Sequence, residues 1–178
     1  MSITVETGSG NAAANSYASV EQADAWHAAR GITTWADLLT EEREQALVRA
    51  TAYMQQVYRL RWAGSRVLMT QALDWPRAWV PMVDAPGYYG AYPAYYPSNA
   101  VPREVRDACC ELALTAAAGD LSPNIERQAK SVTVGPITKV YADNASPVTR
   151  YRAIDNMLAP LLLGASVGDG SSIKLVRA

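Results

Sequence analysis

The sequence is short of the residues on which catalysis and metal binding usually depend. Among its 178 residues there are one histidine, His27, and two cysteines, Cys109 and Cys110, which are neighbours. A zinc site needs several Cys or His ligands at characteristic spacings, and these residues do not match them. A serine triad would have to use His27, and no Gly-x-Ser-x-Gly elbow presents a serine. We therefore predict no catalytic residue, no metal and no cofactor.

The sequence also lacks a strong net charge and any long apolar run. Its formal net charge is −1, so attraction of the whole molecule to nucleic acid or to a membrane is not expected. No run approaches the roughly 20 apolar residues that span a bilayer. Residues Met1 to Glu6 have neither a basic region nor an apolar core, so we predict no secretory signal. Neighbouring cysteines on a helix cannot easily form a disulfide, which indicates a reducing compartment.

Capping signals and hydrophobic periodicity predict a mainly α-helical chain. Ser19 followed by Gln22 has the pattern of a capping box that begins the first helix. Thr40 caps a second helix that runs to about Tyr58, and Pro102 is well placed as the first residue of a third. The third helix carries the most regular apolar stripe of the chain. Its members are Val105, Ala108, Cys109, Leu112, Ala113 and Ala116.

The region after the third helix reads as a β element followed by a fourth helix. Gly119 is a good stop for the third helix. Lys130–Tyr141 is rich in β-branched residues around Gly135–Pro136, which predicts a hairpin or two short strands meeting at a turn. Ser146–Pro147 begins a fourth helix, and Pro160 should end or kink it.

These elements predict a mainly α fold. We expect a small bundle of about four helices with a short β-hairpin or strand element, a long Tyr/Pro-rich loop and extended termini. Ile3–Val5 favours a short edge strand, and such strand-like termini are suited to pairing with the sheet edge of a neighbour. We assign residues 1–163 to one helical domain and residues 164–178 to a C-terminal tail.

The most unusual segment is a loop that combines tyrosine with proline. Its prolines exclude a helix or a central strand, and disordered segments are poor in aromatic residues. Tyrosine joins a large apolar ring to a polar tip, which suits a surface that meets another surface. We therefore predict that residues 81–101 form an arm that packs on a partner. The interface residues of this arm are predicted to be Tyr88, Tyr89, Tyr92, Tyr95 and Tyr96.

Positive charge is concentrated just before this loop. Four arginines lie between residues 59 and 80 against one acid, Asp74. They form either a solvated rim or a patch that faces phosphates. Trp75 and Trp79 flank Pro76–Arg77, where they either pack in the core or stack on the bases of a single strand. The candidate DNA-facing residues are Arg59, Arg61, Arg66 and Arg77.

Three stretches in this order resemble a known family. They are Ala14–Tyr17 leading into Ser19–Trp26, then Leu73–Arg77, then Val101–Pro102 opening an alanine-rich helix. Together they resemble the head–tail connector (adaptor, or head-completion) proteins of long-tailed bacteriophages. Some of those relatives carry the label DnaT-like single-stranded-DNA-binding protein. The resemblance spans roughly residues 1–163.

The resemblance implies a structural virion protein without catalytic residues. Such adaptors form a homo-oligomeric ring, typically a dodecamer, and DNA passes through its lumen. The implied partners are the portal protein, a tail-completion or tail-terminator protein, and passing DNA in transient contact; no membrane is implied. The implied location is the head–tail junction of the virion, after assembly in the host cytoplasm. A ring needs heterologous interfaces, in which two different patches of each subunit meet.

The resemblance also gives the C-terminal tail a role and leaves one alternative open. In adaptors of this kind the C-terminal part generally docks onto the portal, which assigns portal docking to Ile173, Leu175 and Val176. The alternative is a replication-type single-stranded-DNA-binding protein. It would use Trp75, Trp79 and the nearby arginines as a groove for bases and phosphates.

Overall fold

The protein is a small helical bundle with two minor β elements, as a computed structural model describes it. The structure describes residues 2–85, 94–123, 131–134, 137–140 and 151–164. In these ranges the helices are α1 (Val20–Ala28), α2 (Thr40–Tyr58), α3 (Arg103–Ala118) and α4 (Arg152–Leu158). The strands are β1 (Ser65–Arg66), β2 (Arg77–Ala78), β3 (Ser131–Val134) and β4 (Ile137–Val140). This confirms the predicted fold class, mainly α with a short hairpin.

The capping signals place the first two helices nearly where the sequence predicts them. The Ser19 hydroxyl accepts from the N–H of Gln22, and the Gln22 side chain accepts from the N–H of Ser19, so the capping box is confirmed. α2 begins with Leu39 as its N-cap, one residue before the predicted Thr40. The carboxylate of Glu42 accepts from the Leu39 N–H at 2.8 Å, which stabilises the start of α2 without a capping hydroxyl.

Helix α3 lies at the centre of the bundle, because α1, α2 and α4 all pack against it. It begins at Arg103 with Pro102 as its N-cap, one residue later than predicted, and Gly119 follows its last residue. Removal of its apolar stripe from water is a main source of stability for the bundle. The predicted stripe is buried throughout: Val105, Ala108, Cys109, Leu112, Ala113 and Ala116.

The β elements are short antiparallel pairs. β1 and β2 pair Ser65 with Ala78 and Arg66 with Arg77. β3 and β4 form the predicted hairpin, in which Val134 pairs with Ile137. With only two strands each, neither sheet would be stable alone.

The C-terminal part of the bundle follows the sequence prediction where the structure describes it. The predicted start of the fourth helix at Ser146–Pro147 lies outside the described residues. α4 ends at Leu158, and a 3₁₀ turn (Ala159–Leu161) contains Pro160, so the predicted break is confirmed. Ile154 and Leu158 are buried against the core.

The N-terminal segment forms no regular strand and folds back on its own chain. Val5 makes a single bridge with Ser16, where the sequence predicted an edge strand over Ile3–Val5. The carboxylate of Glu6 is buried and accepts from the N–H groups of Gly8, Gly10 and Asn11 at 2.7–3.0 Å. The N–H groups of Asn15 and Ser16 also donate to the Thr4 carbonyl, and the Glu6 N–H donates to the Ser16 carbonyl. Pairing of this segment with a neighbour stays a prediction.

Candidate functional site

The most unusual surface residue in the described part of the chain is Trp79. Its ring is 71% exposed, although tryptophan carries the largest apolar surface of any side chain. Its φ is 63°, the only positive φ at a non-glycine residue among those that the structure describes. A bulky side chain in this region is an outlier that the surrounding structure must hold in place. Such strain is concentrated at functional sites, which makes Trp79 a candidate contact residue.

The contacts around Trp79 explain how this conformation is held. Gly64 lies across from it on the neighbouring segment, and a Cβ there would meet the Ala78 carbonyl and the Trp79 backbone. After Trp79 the chain pairs with a second segment, because the Tyr96 N–H donates to the Val80 carbonyl at 2.9 Å. The absence of a side chain at Gly64 thus permits the close approach that fixes the Trp79 backbone.

Tyr95 supports the exposed indole ring from the second segment. The two rings are 5.6 Å apart between centroids and nearly perpendicular, at 89°. Tyr95 is itself 44% exposed, so the pair of Trp79 and Tyr95 presents two aromatic surfaces to solvent. An edge-to-face pair is an attractive arrangement that orders both rings. We refer to Trp79 and Tyr95 as the aromatic pair.

The predicted arm and tail are only partly described. Tyr95 lies in the aromatic pair. Burial, and then the Glu104 carboxylate beside it, raises the pKa of the half-buried Tyr96 to about 12. The roles of the other predicted residues stay predictions, because they lie outside the described residues: Tyr88, Tyr89, Tyr92, Ile173, Leu175 and Val176.

The neighbouring tryptophan, Trp75, belongs to the core. It is fully buried and contacts Trp62 edge-to-face at 5.7 Å. The Tyr17 hydroxyl accepts from the N–H groups of Asp74 and Trp75 at 3.0 and 3.3 Å, which ties this segment to the N-terminal part of the chain. Of the two readings that the sequence left open for Trp75, core packing is therefore the correct one.

Arg77 is buried in the same region, with only 7% of its surface exposed. Its guanidinium donates to the carbonyls of Ala63 and Gly64 at 2.8 and 2.7 Å and to that of Asp74 at 3.3 Å. Burial lowers the pKa of Arg77, and Asp74 partly opposes that shift. Each of these donors satisfies a backbone carbonyl, so the predicted DNA-facing role does not hold for Arg77. Its side chain instead cross-links the segments that carry β1 and β2.

The other three arginines differ in the exposure of their side chains and in the partners of their guanidinium groups. Arg66 is half-buried and donates to the carbonyls of Gln71 and Leu73. Arg59 and Arg61 keep 57% and 49% of their side chains exposed, and they pair with Asp74 at 3.7 Å and Asp155 at 3.5 Å. The partly exposed Arg61–Asp155 pair contributes little to stability, whereas Arg59 pairs with a buried carboxylate, because the Asp74 side chain is only 1% exposed. For Arg59 and Arg61 contact with DNA stays a prediction.

The two cysteines, whose thiols could act as nucleophiles or metal ligands, are packed in the interior. Cys109 and Cys110 are both buried, and burial raises the pKa of each thiol. No group of three or more His, Cys, Asp or Glu side chains that could hold a metal ion occurs in the described ranges. No helix in those ranges is long and apolar enough to cross a membrane.

His27 is buried between α1 and α3. Its Nε2–H donates to the carbonyl of Cys110 at 3.0 Å, and its ring lies 4.7 Å from that of Trp35 between centroids. Burial lowers the pKa of His27 below 6.5, partly opposed by the Cys110 carbonyl and by Glu111. The imidazole is therefore a neutral core group at neutral pH.

The unfolding free energy should fall as the pH is lowered below about 6.5. The native state holds His27 neutral while the unfolded chain protonates it near its ordinary pKa of 6.5, so the unfolded state binds more protons in that range. Denaturant unfolding at about pH 7.5 and 5.5 measures the loss. Because the chain has one histidine, His27→Gln should remove this part of the pH dependence. An unchanged slope in that variant would contradict the assignment.

A second feature near α3 is a cluster of arginines that sequence reasoning missed. Arg30 follows α1, and Arg103 and Arg106 lie in the first turns of α3. They line one groove between the two helices. The spacing of Arg103 and Arg106 places both on one helical face. Their proximity to Arg30, more than 70 positions earlier in the chain, has no local signal.

Together these features define a mainly α-helical domain that presents an aromatic pair at its surface and an arginine-lined groove between two helices. The chain belongs to the family described as "putative DnaT-like ssDNA binding protein", whose model matches residues 1–178. No curated protein and no solved structure matches the chain. Membership of this family agrees with the label that the sequence resemblance pointed to.

Proposed function

We propose that this protein binds single-stranded DNA and that the aromatic pair of Trp79 and Tyr95 is the surface on which bases stack. The observation that carries the proposal is the exposed Trp79 ring, 71% accessible on a backbone with φ of 63°. The description of its family supports the same ligand. This mode of binding differs from the groove that the sequence suggested, because Trp75 and Arg77 are buried.

Stacking fits a protein whose overall charge is close to neutral. Every base has a flat π-surface, so an exposed aromatic ring gains roughly 1–3 kcal/mol per base with little sequence preference. Phosphate neutralisation usually dominates affinity for DNA. With a formal net charge of −1, the protein depends on the stacking surface together with local arginines such as Arg59 and Arg61. We therefore expect modest affinity and low sequence selectivity.

Replacing Trp79 by alanine should weaken binding of an oligothymidine by roughly tenfold or more. Loss of one stacked base costs about 1–3 kcal/mol, and about 1.4 kcal/mol corresponds to a factor of ten. Fluorescence anisotropy at fixed salt measures the change. Leu60→Ala is the matched control, because Leu60 is 90% exposed but not aromatic. Equal affinity of the wild type and Trp79→Ala would exclude the aromatic pair as the binding surface.

A second candidate function is the head–tail connector ring, and the exposed apolar side chains favour it. Leu60, Met69 and Leu163 are 90%, 100% and 65% exposed. The Leu163 N–H donates to the Arg61 carbonyl at 2.7 Å, which brings Leu163 close to Leu60. An apolar surface that includes Leu60 and Leu163 would be typical of sites that meet other proteins. In this candidate the partners are further copies of the chain, the portal protein and a tail-completion or tail-terminator protein.

If the protein is a connector, truncation after Leu163 should abolish its attachment to the portal without changing its folding. The tail of residues 164–178 is proposed to dock onto the portal, so its removal should abolish attachment and leave the unfolding transition unchanged. Native mass spectrometry with and without a portal measures attachment. The matched control is the full chain with Arg152→Gln, which changes an exposed side chain on α4 and leaves the tail in place. Normal attachment by the truncated protein would reject portal docking by the tail.

The two candidates predict different responses to salt. A single-stranded-DNA-binding protein should bind an oligothymidine measurably at low salt and lose affinity as salt rises, because each phosphate contact releases counterions. An isolated connector subunit should bind it weakly at every salt concentration. A titration across salt therefore distinguishes them with the same protein sample.

A further inference from the structure

The groove between α1 and α3 is lined by three arginines and has a volume of about 330 Å³. This lies at the small end of the range for ligand sites, so the groove suits a compact group rather than a large ligand. The alanines Ala25 and Ala29 contribute no long side chain and leave the groove open. We name it the arginine groove; its charged and aromatic lining residues are Trp26, Arg30, Arg103, Arg106 and Asp107.

On the α1 side, Trp26 and Arg30 form an ordered pair. The guanidinium carbon of Arg30 lies 3.1 Å from the centroid of the Trp26 ring, and its Nη1 donates to the Trp26 carbonyl at 3.0 Å. The indole Nε1 of Trp26 donates to Glu111 at 3.0 Å, which fixes the ring. A guanidinium stacked in this way keeps its charge and most of its five N–H donors for a further partner.

On the α3 side, positive charge exceeds negative charge. Arg103 donates to Asp107 at 3.1 Å, but its side chain is 80% exposed, so the pair is weak. The Nε of Arg106 is buried and has no hydrogen-bond partner among the described residues. No carboxylate of those residues lies within 4.0 Å of the guanidinium groups of Arg30 or Arg106. The groove thus holds three arginines against one aspartate.

We propose that the arginine groove binds a phosphate group of a nucleic acid strand, which rests on the proposed binding of single-stranded DNA. A planar guanidinium matches the oxygens of a phosphate bidentately, and arginine suits such sites better than lysine does. Arg106 is the central ligand in this proposal, and Arg30 and Arg103 add positive charge to the groove beside it.

The position of the groove is compatible with one strand reaching both surfaces. Tyr95 of the aromatic pair directly precedes Tyr96, whose hydroxyl lies beside Glu104. Glu104 in turn follows Arg103 of the groove in the first turn of α3. The start of α3 thus carries Arg103 of the groove and, next to it in the sequence, Glu104, which contacts the neighbour of Tyr95.

The first test uses inorganic phosphate and the full chain. The probe is the Trp26 indole N–H resonance, followed by NMR during a phosphate titration at constant ionic strength. We expect a saturable shift in the wild type and in Arg152→Gln, an exposed arginine on α4, and none in Arg106→Gln. A response that matches sodium chloride, or that persists in Arg106→Gln, would overturn the proposal. A larger response to acetate would overturn it in favour of an acidic protein partner.

The second test separates this proposal from the proposed function. In an oligothymidine titration across salt, Arg106→Gln should lower the slope of log affinity against log salt by roughly 0.7, the loss of one phosphate contact. Trp79→Ala should lower affinity and leave the phosphate shift at Trp26 intact. An Arg106→Gln slope equal to that of the wild type, with tight binding retained, would reject the groove but not the function. Phosphate binding without binding of the oligomer would reject the function alone.

Discussion

Replacing Gly8 by alanine should destabilise the protein by roughly 3 kcal/mol or more, with contributions of about 1–3 kcal/mol each from overpacking and from backbone strain. The φ of Gly8 is 112°, a region that side chains rarely adopt, and an added Cβ would collide with the carbonyl of Asn99. The obstacle is backbone, which cannot rotate away as a side chain could. Either the loop that holds Glu6 or the segment before α3 would have to move. Denaturant unfolding monitored by tryptophan fluorescence measures the loss.

Gly31 provides the matched control for this prediction. Its φ is 67°, but a Cβ there would meet nothing within 4 Å. Gly31→Ala therefore carries the strain of a positive φ without a collision, and we expect a cost of about 1–2 kcal/mol. Similar losses for Gly8→Ala and Gly31→Ala would show that contact between the N-terminal loop and the segment before α3 adds little.

The parts of the fold that local signals determine were predictable. The capping box at Ser19 depends on residues within one turn, and the stripe of α3 depends on a repeat within one helix. Both are confirmed. At Leu39 the helix begins one residue early without a capping hydroxyl, because the Glu42 carboxylate accepts from the Leu39 N–H, and Pro102 is an N-cap without a side-chain hydrogen bond. Helix ends are therefore less determined than helix faces.

The candidate site could not be predicted in the same way. Contacts between residues far apart in the sequence decide which of its side chains are buried and which are exposed. Trp75 and Trp79 are equally apolar, yet one is fully buried and the other 71% exposed. What separates them is the return of the chain past Gly64 and the pairing with Tyr95, neither of which has a local signature. The sequence likewise suggests a surface charge at Arg77, whereas in the structure its guanidinium donates to the carbonyls of Ala63 and Gly64.

The arginine groove, too, could be predicted from the sequence only in part. Arg103 and Arg106 are neighbours on a helical face by their spacing, which sequence alone can indicate. That Arg30 joins them depends on how α1 packs against α3, and this packing is set by buried contacts such as that of His27 with the Cys110 carbonyl. The net charge of −1 therefore gives no indication of a basic surface to which two helices contribute.

Glu6→Gln should lower the free energy of unfolding by about 3 kcal/mol, because hydrogen bonds to a charged group are worth roughly 1.5–3 kcal/mol each and a buried unmet donor costs about 1–3 kcal/mol. The carboxylate is buried and accepts from three N–H groups. A glutamine of the same size would turn an NH₂ group toward one of these donors. Glu41→Gln, in the exposed first turn of α2, is the control and should cost only a few tenths of a kcal/mol. Equal stability of the two variants in denaturant unfolding would mean that water replaces the carboxylate without loss, and the N-terminal loop would then contribute little to the fold.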